Sequence, residues 1–268
     1  MIVKFDTPQM KLWRIEQEHS HSTHIHEREF QITVPIYGTC RFAARHRTYE
    51  LACGEGYVQY PAEPHELHID GGMGVIVLQV DRDSFASFNR QRSWEPEQRQ
   101  RIDPAKLNGQ FRKWATTLLL HEQTEPLAVQ ETETQVLYYL SRVLKGNQAH
   151  LRDAAVASAS AADRHLARAL DYLHEHFTDK IQLDELAAIA LRSRFHFIRS
   201  FKAALGMTPY QYMLVLRVEE AKAQLGSSDA TVTEISFRMG FASTSQFYRA
   251  FVKMVGATPE QYRSGLRH

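Results

Sequence analysis

Histidine is the chemistry-bearing residue of the first quarter of this chain. His19, His21, His24, His26, His46, His65 and His68 make up seven of the fourteen histidines in 268 residues. His24 and His26 are one residue apart, so on a strand both rings project from one face. Imidazoles gathered in this way either ligate a metal or form the hydrogen-bonding wall of a pocket, and the spacing leaves both open. His19 and His21 extend the run to His-x-His-x-x-His-x-His, which reads as a loose metal-binding tract or a flexible leader. The only two cysteines, Cys40 and Cys53, are expected to be small core residues. They cannot supply a disulfide framework or a four-thiolate zinc site, and a reducing cytoplasm is the expected setting. In the second half the chemistry is cationic: Arg192, Arg194, Arg199 and Lys202 fall within eleven residues that contain no acid.

The elements that position these groups follow two patterns. Residues 19–80 alternate apolar and polar types, and Phe30–Gly38, Gly56–Pro61 and Gly74–Val80 read as short strands. From about Pro104 the period lengthens. Phe111, Trp114, Ala115, Leu118 and Leu119 follow helical spacing, as do Val136, Leu137, Leu140, Val143 and Leu144. Residues 146–162 are small and polar with no amphipathic stripe and are expected to link two domains. Beyond them everything reads as helix, with Leu166, Leu170, Leu173 and Phe177 on one stripe and Leu183, Leu186, Ala187 and Ala190 on the next.

Composition bounds the function. An apolar share of 43% and a charged share of 24% describe a globular protein, and the longest apolar runs, such as Val75–Val80 interrupted by Gln79, are too short to span a bilayer. The N-terminus lacks the apolar core of a secretion signal. The net charge of +1 argues against a nucleic-acid binder only until it is divided. Residues 160–268 hold 14 basic and 11 acidic residues, and the remainder holds 18 and 20.

The second half also repeats itself at an offset of fifty residues. Nine of twenty positions coincide without a gap between Ser193–Tyr212 and Ser243–Tyr262. Ser193 and Ser243 are suited to cap helices, Phe197 with Phe201 and Phe247 with Phe251 share buried faces, and Gly206 and Gly256 can end the helices. Thr208-Pro209 and Thr258-Pro259 begin the next ones, and Thr231 with Glu234 has capping-box spacing. Each repeat is thus a short helix, a turn and a second helix. With the phenylalanines inward, Arg194, Phe195, Ile198, Arg199 and Lys202 are expected on the outer side of the first unit. Thr244, Ser245, Tyr248, Arg249 and Val252 are expected there in the second. Such a helix fits the DNA major groove, where arginine reads guanine and apolar side chains touch thymine methyls. A helix over 209–225, roughly 25 Å long, can set two reading helices about one turn of roughly 34 Å apart.

The run Phe201–Tyr212, then Arg217 and Ala221, then Ile235–Phe241 and Phe251…Gly256-Ala-Thr-Pro-Glu-Gln-Tyr-Arg263, resembles the AraC/XylS family of bacterial transcription regulators. The likeness covers about residues 163–264 and implies that Ser193–Ala204 and Ser243–Val255 are recognition helices. In the first half, His24-x-His26-x4-Gln31-x6-Gly38 followed by Gly56…Pro61-x3-His65 resembles the two motifs of the cupin barrel. That likeness implies a ligand set of His24, His26 and His65, with Gln31 where a carboxylate is expected and Glu29 close by. Such a set suits zinc, nickel or iron; without metal, the same residues line a pocket for a small organic effector.

The expected architecture is α+β and multidomain. A cupin-like effector-sensing domain occupies 1–145, with its barrel at about 10–82 and a helical segment at about 104–145. A linker covers 146–162, and an all-α domain of two helix-turn-helix units covers 163–268. The expected activity is sequence-specific binding of double-stranded DNA, modulated by a small molecule or metal, with no catalytic residues and no membrane association. The resemblance implies a homodimer, with Leu137, Leu140 and Leu144 as interface candidates or as packing for their own barrel, and RNA polymerase as a partner if the protein activates. The alternative is a metal-dependent cupin enzyme fused to a DNA-binding domain.

Overall fold

The computed structural model describes residues 1–45, 47–89, 95–120, 125–146 and 159–266. The chain divides into two compact units, one of residues 1–116 and 135–153, the other of 117–134 and 154–268.

The first unit is built on antiparallel strands: β1 (Ile2–Asp6), β2 (Met10–Ile15), β3 (His19–His24), β4 (Glu29–Tyr37), β5 (Cys40–Ala44), β6 (Arg47–Leu51), β7 (Glu55–Gln59), β8 (His65–Ile69), β9 (Gly74–Asp81) and β10 (Arg99–Arg101). They form a six-stranded sheet ordered β1-β2-β9-β4-β7-β10 and a four-stranded sheet ordered β3-β8-β5-β6. Ile15, Phe42, Leu51, Leu67, Ile69, Val75 and Val77 cluster in its core. β9 is buried along nearly its whole length, as its almost continuous apolar run requires. The strands extend past the expected limits of 10–82. β1 pairs Ile2 with Ile15, and β10 pairs Gln100 with Gly56. Neither was visible in the sequence, since β1 buries only Phe5 fully and β10 has three residues. His19 and His21 belong to β3, opposite Ile69 and Leu67, so they lie on a paired strand and not in a flexible leader. Helices α1 (Arg82–Asn89) and α2 (Pro104–Leu120) follow.

Helix α3 (Pro126–Val143) contributes to both units, because residues up to Thr134 group with the C-terminal half. The expected boundary at 145 therefore differs from this division, which groups residues 117–134 with the C-terminal half. Leu137, Leu140 and Leu144 are buried within the chain, so they are packing residues and offer no surface to a second copy. Most of the expected linker, residues 147–158, lies outside the described residues; its last four residues already belong to α4.

The second unit comprises α4 (Ala159–His176), α5 (Leu183–Ile189), α6 (Arg194–Leu205), α7 (Pro209–Ser227), α8 (Val232–Arg238), α9 (Thr244–Val255) and α10 (Pro259–Leu266). It has two cores. Leu166, Leu173, Leu183, Leu186, Phe197 and Phe201 build one, joined by Leu127 and Ala128 of α3. Ile235, Met239, Phe241, Phe247 and Phe251 build the other. Helix α7 serves both, giving Tyr210 and Met213 to the first and Val218, Ala221 and Leu225 to the second.

A buried cation ties these elements together. Arg217 of α7 is 1% exposed and donates from Nε to Phe177 O at 2.6 Å, from Nη2 to Asp179 O at 2.9 Å and from Nη1 to Glu125 Oε2 at 3.0 Å. Burial raises the Glu125 carboxyl above its ordinary range, and the guanidinium opposes that shift. Gly240, in the α8–α9 turn, lies against the same carbonyl segment. Its φ is 76°, and a Cβ there would meet Thr178 O at 2.1 Å. Gly256 has a similar φ of 81° but open space around it. Gly256→Ala should therefore cost about 1 kcal/mol, the left-handed penalty alone. Gly240→Ala should cost more than about 3 kcal/mol because backbone must also shift. Urea unfolding of the two variants checks this; equal losses would contradict the contact.

Candidate functional site

The two helix-turn-helix units are assembled by the same local devices. Ser193 Oγ accepts the His196 N–H, and Ser243 Oγ accepts the Gln246 N–H at 3.2 Å, each satisfying a helix-start donor. Gly206 and Gly256 close the helices in the left-handed conformation, at φ 74° and 81°. Capping boxes begin α7 at Thr208 and α8 at Thr231. Phe197 with Phe201 and Phe247 with Phe251 pack ring to ring inside their cores, with centroids 5.6 and 5.4 Å apart. Burial of these pairs decides which face each helix turns outward.

The outward face is narrower than the sequence reading. Arg199 and Lys202 are exposed and Phe195 is half-exposed on α6; Ser245, Arg249 and Val252 are exposed on α9. These are equivalent positions in the two repeats, spaced four and three apart along one helical face. Positions 194, 198, 244 and 248 lie on the flank beside it. Ile198 is 9% exposed and belongs to the first core, so it packs inward instead of standing on the outer side. Arg194 donates from Nε and Nη2 to both carboxylate oxygens of Asp184, whose carboxyl it holds below its usual range. Tyr248 packs against the second core, and its hydroxyl donates to the Glu260 carboxylate. Thr244 is half-exposed, with Oγ1 3.5 Å from Ser236 Oγ.

The first unit gathers the expected histidines. His24, at the end of β3, pairs in register with His65 of β8 across a bulge. His26 lies beyond the strand, in the β3–β4 connection, so alternation along one strand is not what aligns the two rings. A ligand nitrogen of each of the three nonetheless lies within 4.8 Å of the others. His65 is buried and stacks on Phe42 at 5.7 Å.

Gln31 joins them from the other sheet. The register pairs Gln31 with Gln59 of β7 and Gln79 of β9, so three amides form a row on one face. Gln79 Nε2 donates to Gln31 Oε1 at 2.8 Å, and His26 Nε2 stands 3.1 Å from Gln31 Oε1 and 3.0 Å from Gln79 Nε2. A protonated Nε2 donates to Gln31; an unprotonated one accepts from Gln79. Burial, then the neighbouring His24, lowers the His26 pKa, which favours the neutral ring. Glu29 approaches the opposite nitrogen, Nδ1, at 3.5 Å, so it stands behind the ring and Gln31 stands before it. Oε1 of Gln59 and of Gln79 are buried with no hydrogen-bond partner among the described residues, leaving acceptor capacity for a ligand.

Gln59 and Gln79 escaped the sequence reading, although Gln79 interrupts an apolar run, the one local sign of a buried amide. The cysteines split. Cys40 is buried, which pushes its thiol up to about 12, whereas Cys53 is exposed and donates to Ile36 O at 3.2 Å. Among the described residues, no helix is long and apolar enough to cross a membrane.

Comparison with known proteins accounts for both units. An AraC-like ligand binding domain matches residues 14–137, and a helix-turn-helix domain matches residues 186–265. The chain belongs to the AraC family of transcription regulators. The regulator is 38% identical over 96 residues to the MmsAB operon regulatory protein of Pseudomonas aeruginosa, covering 36% of this chain and 31% of that one. It is 30% identical over 152 residues to an uncharacterised helix-turn-helix-type transcriptional regulator of Staphylococcus aureus, covering 55% of this chain and 19% of the relative. The regulator thus matches a third or less of the length of these relatives. The DNA-binding domain of AdpA, a global transcriptional factor solved with a target DNA, shares 33% identity, with a TM-score of 0.37 over 38% of this chain and 92% of that one.

The placement of position 198 has a direct consequence. Ile198→Ala should lower stability by about 2–4 kcal/mol through the cavity it opens, and Arg199→Ala by no more than about 0.5 kcal/mol. Chemical denaturation measures both; a neutral Ile198→Ala would return that residue to the outer face.

Proposed function

We propose that this regulator recognises specific sequences in double-stranded DNA and that a small ligand or a metal ion in its first unit modulates the affinity. The observation that carries the reading is the repeated outward face, Phe195, Arg199 and Lys202 on α6 and Ser245, Arg249 and Val252 on α9. Arg199 and Arg249 are suited to bidentate contact with guanine, Lys202 to phosphate, and Phe195 and Val252 to thymine methyls. Arg194, Thr244 and Tyr248, on the flank, suit phosphate contact or support of the face.

The barrel is the sensor in this reading. His24, His26, His65 and Gln31 are the residues that would hold a divalent zinc, nickel or iron ion, and the neutral His26 with Glu29 behind it fits the orientation a ligating imidazole needs. A bound ion would supply Lewis-acid polarisation of an effector's oxygen. The row of Gln31, Gln59 and Gln79 serves an organic effector equally, through amide hydrogen bonds. Occupancy then changes the arrangement of the regulator, in a homodimer and alongside RNA polymerase where it activates, and linkage sets the change in DNA affinity at about 1–3 kcal/mol. The histidine cluster is also what favours the second reading, a metal-dependent enzyme on the same barrel. Both belong in the cytoplasm, where the DNA is.

Selection from random duplex DNA should enrich two half-sites about 10.5 base pairs apart. Arg199→Ala and Arg249→Ala should each weaken binding by about 1–3 kcal/mol and relax one half-site. Failure to enrich any sequence defeats the DNA reading. Calorimetric titration of metal-free protein with Zn²⁺ or Ni²⁺ should give one site per chain, abolished by His65→Ala and weakened as pH falls through the imidazole range. No heat in the unaltered protein leaves the organic effector as the barrel's ligand.

A further inference from the structure

The first half of α3 carries Gln130-Glu131-Thr132-Glu133-Thr134, a run of five polar residues. In the structure Glu131, Thr132, Glu133 and Thr134 are all buried. Two of the polar groups in this half-helix are spent on the starts of other helices. Gln130 Oε1 accepts the N–H of Leu183, the first residue of α5, at 2.6 Å, while its Nε2 donates to Gln182 Oε1. Glu131 Oε1 accepts the N–H of Tyr210, the second residue of α7, at 2.7 Å, and the Thr208 hydroxyl also donates to the carboxyl. Both N–H groups are among those a helix cannot satisfy internally. One step earlier, Glu125 neutralises Arg217. A segment outside the helix-turn-helix repeat thus completes the first unit of the repeat and the helix that spaces the two units.

We propose that Glu125–Thr134 is a proton-sensitive latch on the DNA-reading unit, seated when the Glu131 carboxyl is neutral and loosened when it ionises. The geometry makes the carboxyl the sensitive member. It is enclosed, and its facing groups do little to hold a negative charge: a backbone N–H, a hydroxyl and, at longer range, Lys202 of α6. Around it, the Glu125–Arg217 pair acts together with Glu131 on Tyr210, and Glu133 acts on Arg194 beside Asp184. Burial raises the Glu131 pKa to about 7, against an ordinary 4.5 when the segment is undocked. A raised carboxyl pKa means that the docked state binds the proton more tightly. Docking is therefore fully supported below the undocked value and weakens by up to about tenfold per pH unit as pH rises towards the docked one. The neutral acid still accepts the Tyr210 N–H through its carbonyl oxygen, so protonation removes the charge without removing the bond.

The test is amide hydrogen exchange in the full chain at pH 6 and pH 8, corrected for the intrinsic rate. Protection of Tyr210 and of amides 126–134 should fall about tenfold between the two pH values, since the fall levels off above the docked pKa. In Glu131→Gln, which keeps the acceptor and cannot ionise, it should stay level. A flat profile in the unaltered chain, or the same fall in both proteins, overturns the latch. Should Glu131→Gln not fold, Lys202→Gln provides the second arm: removing the facing cation should move the transition to higher pH, and an unmoved transition also overturns the proposal.

Discussion

A guanidinium cannot be buried without partners, and Arg217 is buried. Leaving such a charge unpaired costs several kcal/mol, so every group that satisfies it is held in place. Its donors fix the carbonyls of Phe177 and Asp179, between α4 and α5, and the carboxylate of Glu125, before α3. Gly240 then approaches Thr178 O so closely that no other residue fits. The turn of the second helix-turn-helix unit is thereby seated against a loop of the first, with α7 running between them. The separation of α6 and α9 follows from α7, and Arg217 near the middle of α7 ties that helix to the α4–α5 loop and to Glu125.

The first unit solves a different problem. Its apolar core lies between two sheets, and the polar groups gather where His24 and His65 of one sheet meet Gln31, Gln59 and Gln79 of the other. Buried amides and imidazoles are tolerable only when hydrogen-bonded or ligated. Gln31, Gln79 and His26 bond to one another and Gln59 Nε2 donates to Glu63 O, while two amide oxygens, of Gln59 and Gln79, have no partner among the described residues. That remainder is chemically specific, since it favours a donor or an ion over a hydrocarbon.

Much of the second unit was legible in the residues because its determinants are local. A serine cap, a glycine stop and a Thr-Pro start act within a turn of themselves, and the repetition at fifty residues confirmed their meaning. The direction of individual side chains was less legible. Ile198 lies beside Phe197 and three residues before Phe201, near the border between the two helical faces, and periodicity does not say on which side of a border the core closes. Arg194 looked like one of four available cations; Asp184, ten residues away on α5, claims it. The strands past 10–82 were missed for a related reason, because a five-residue edge and a three-residue bridge carry too little alternation to register.

The sequence by itself determined the two-part architecture and the duplicated helix-turn-helix, since caps, periods and repeats are written in neighbouring residues, while the cross-strand pairing of His24 with His65 and the approach of His26 from beyond β3 are tertiary. Only the tertiary structure decided which flank of each reading helix faces out, that three glutamines share a row with the histidines, and that the polar half of α3 is buried. Those outcomes depend on contacts between residues up to 79 and 92 positions apart, Glu131 with Tyr210 and Glu125 with Arg217. A glutamate that ends a helix start in the interior and one that faces water have the same neighbours in the chain; the desolvation that separates them arises only when the other helix arrives.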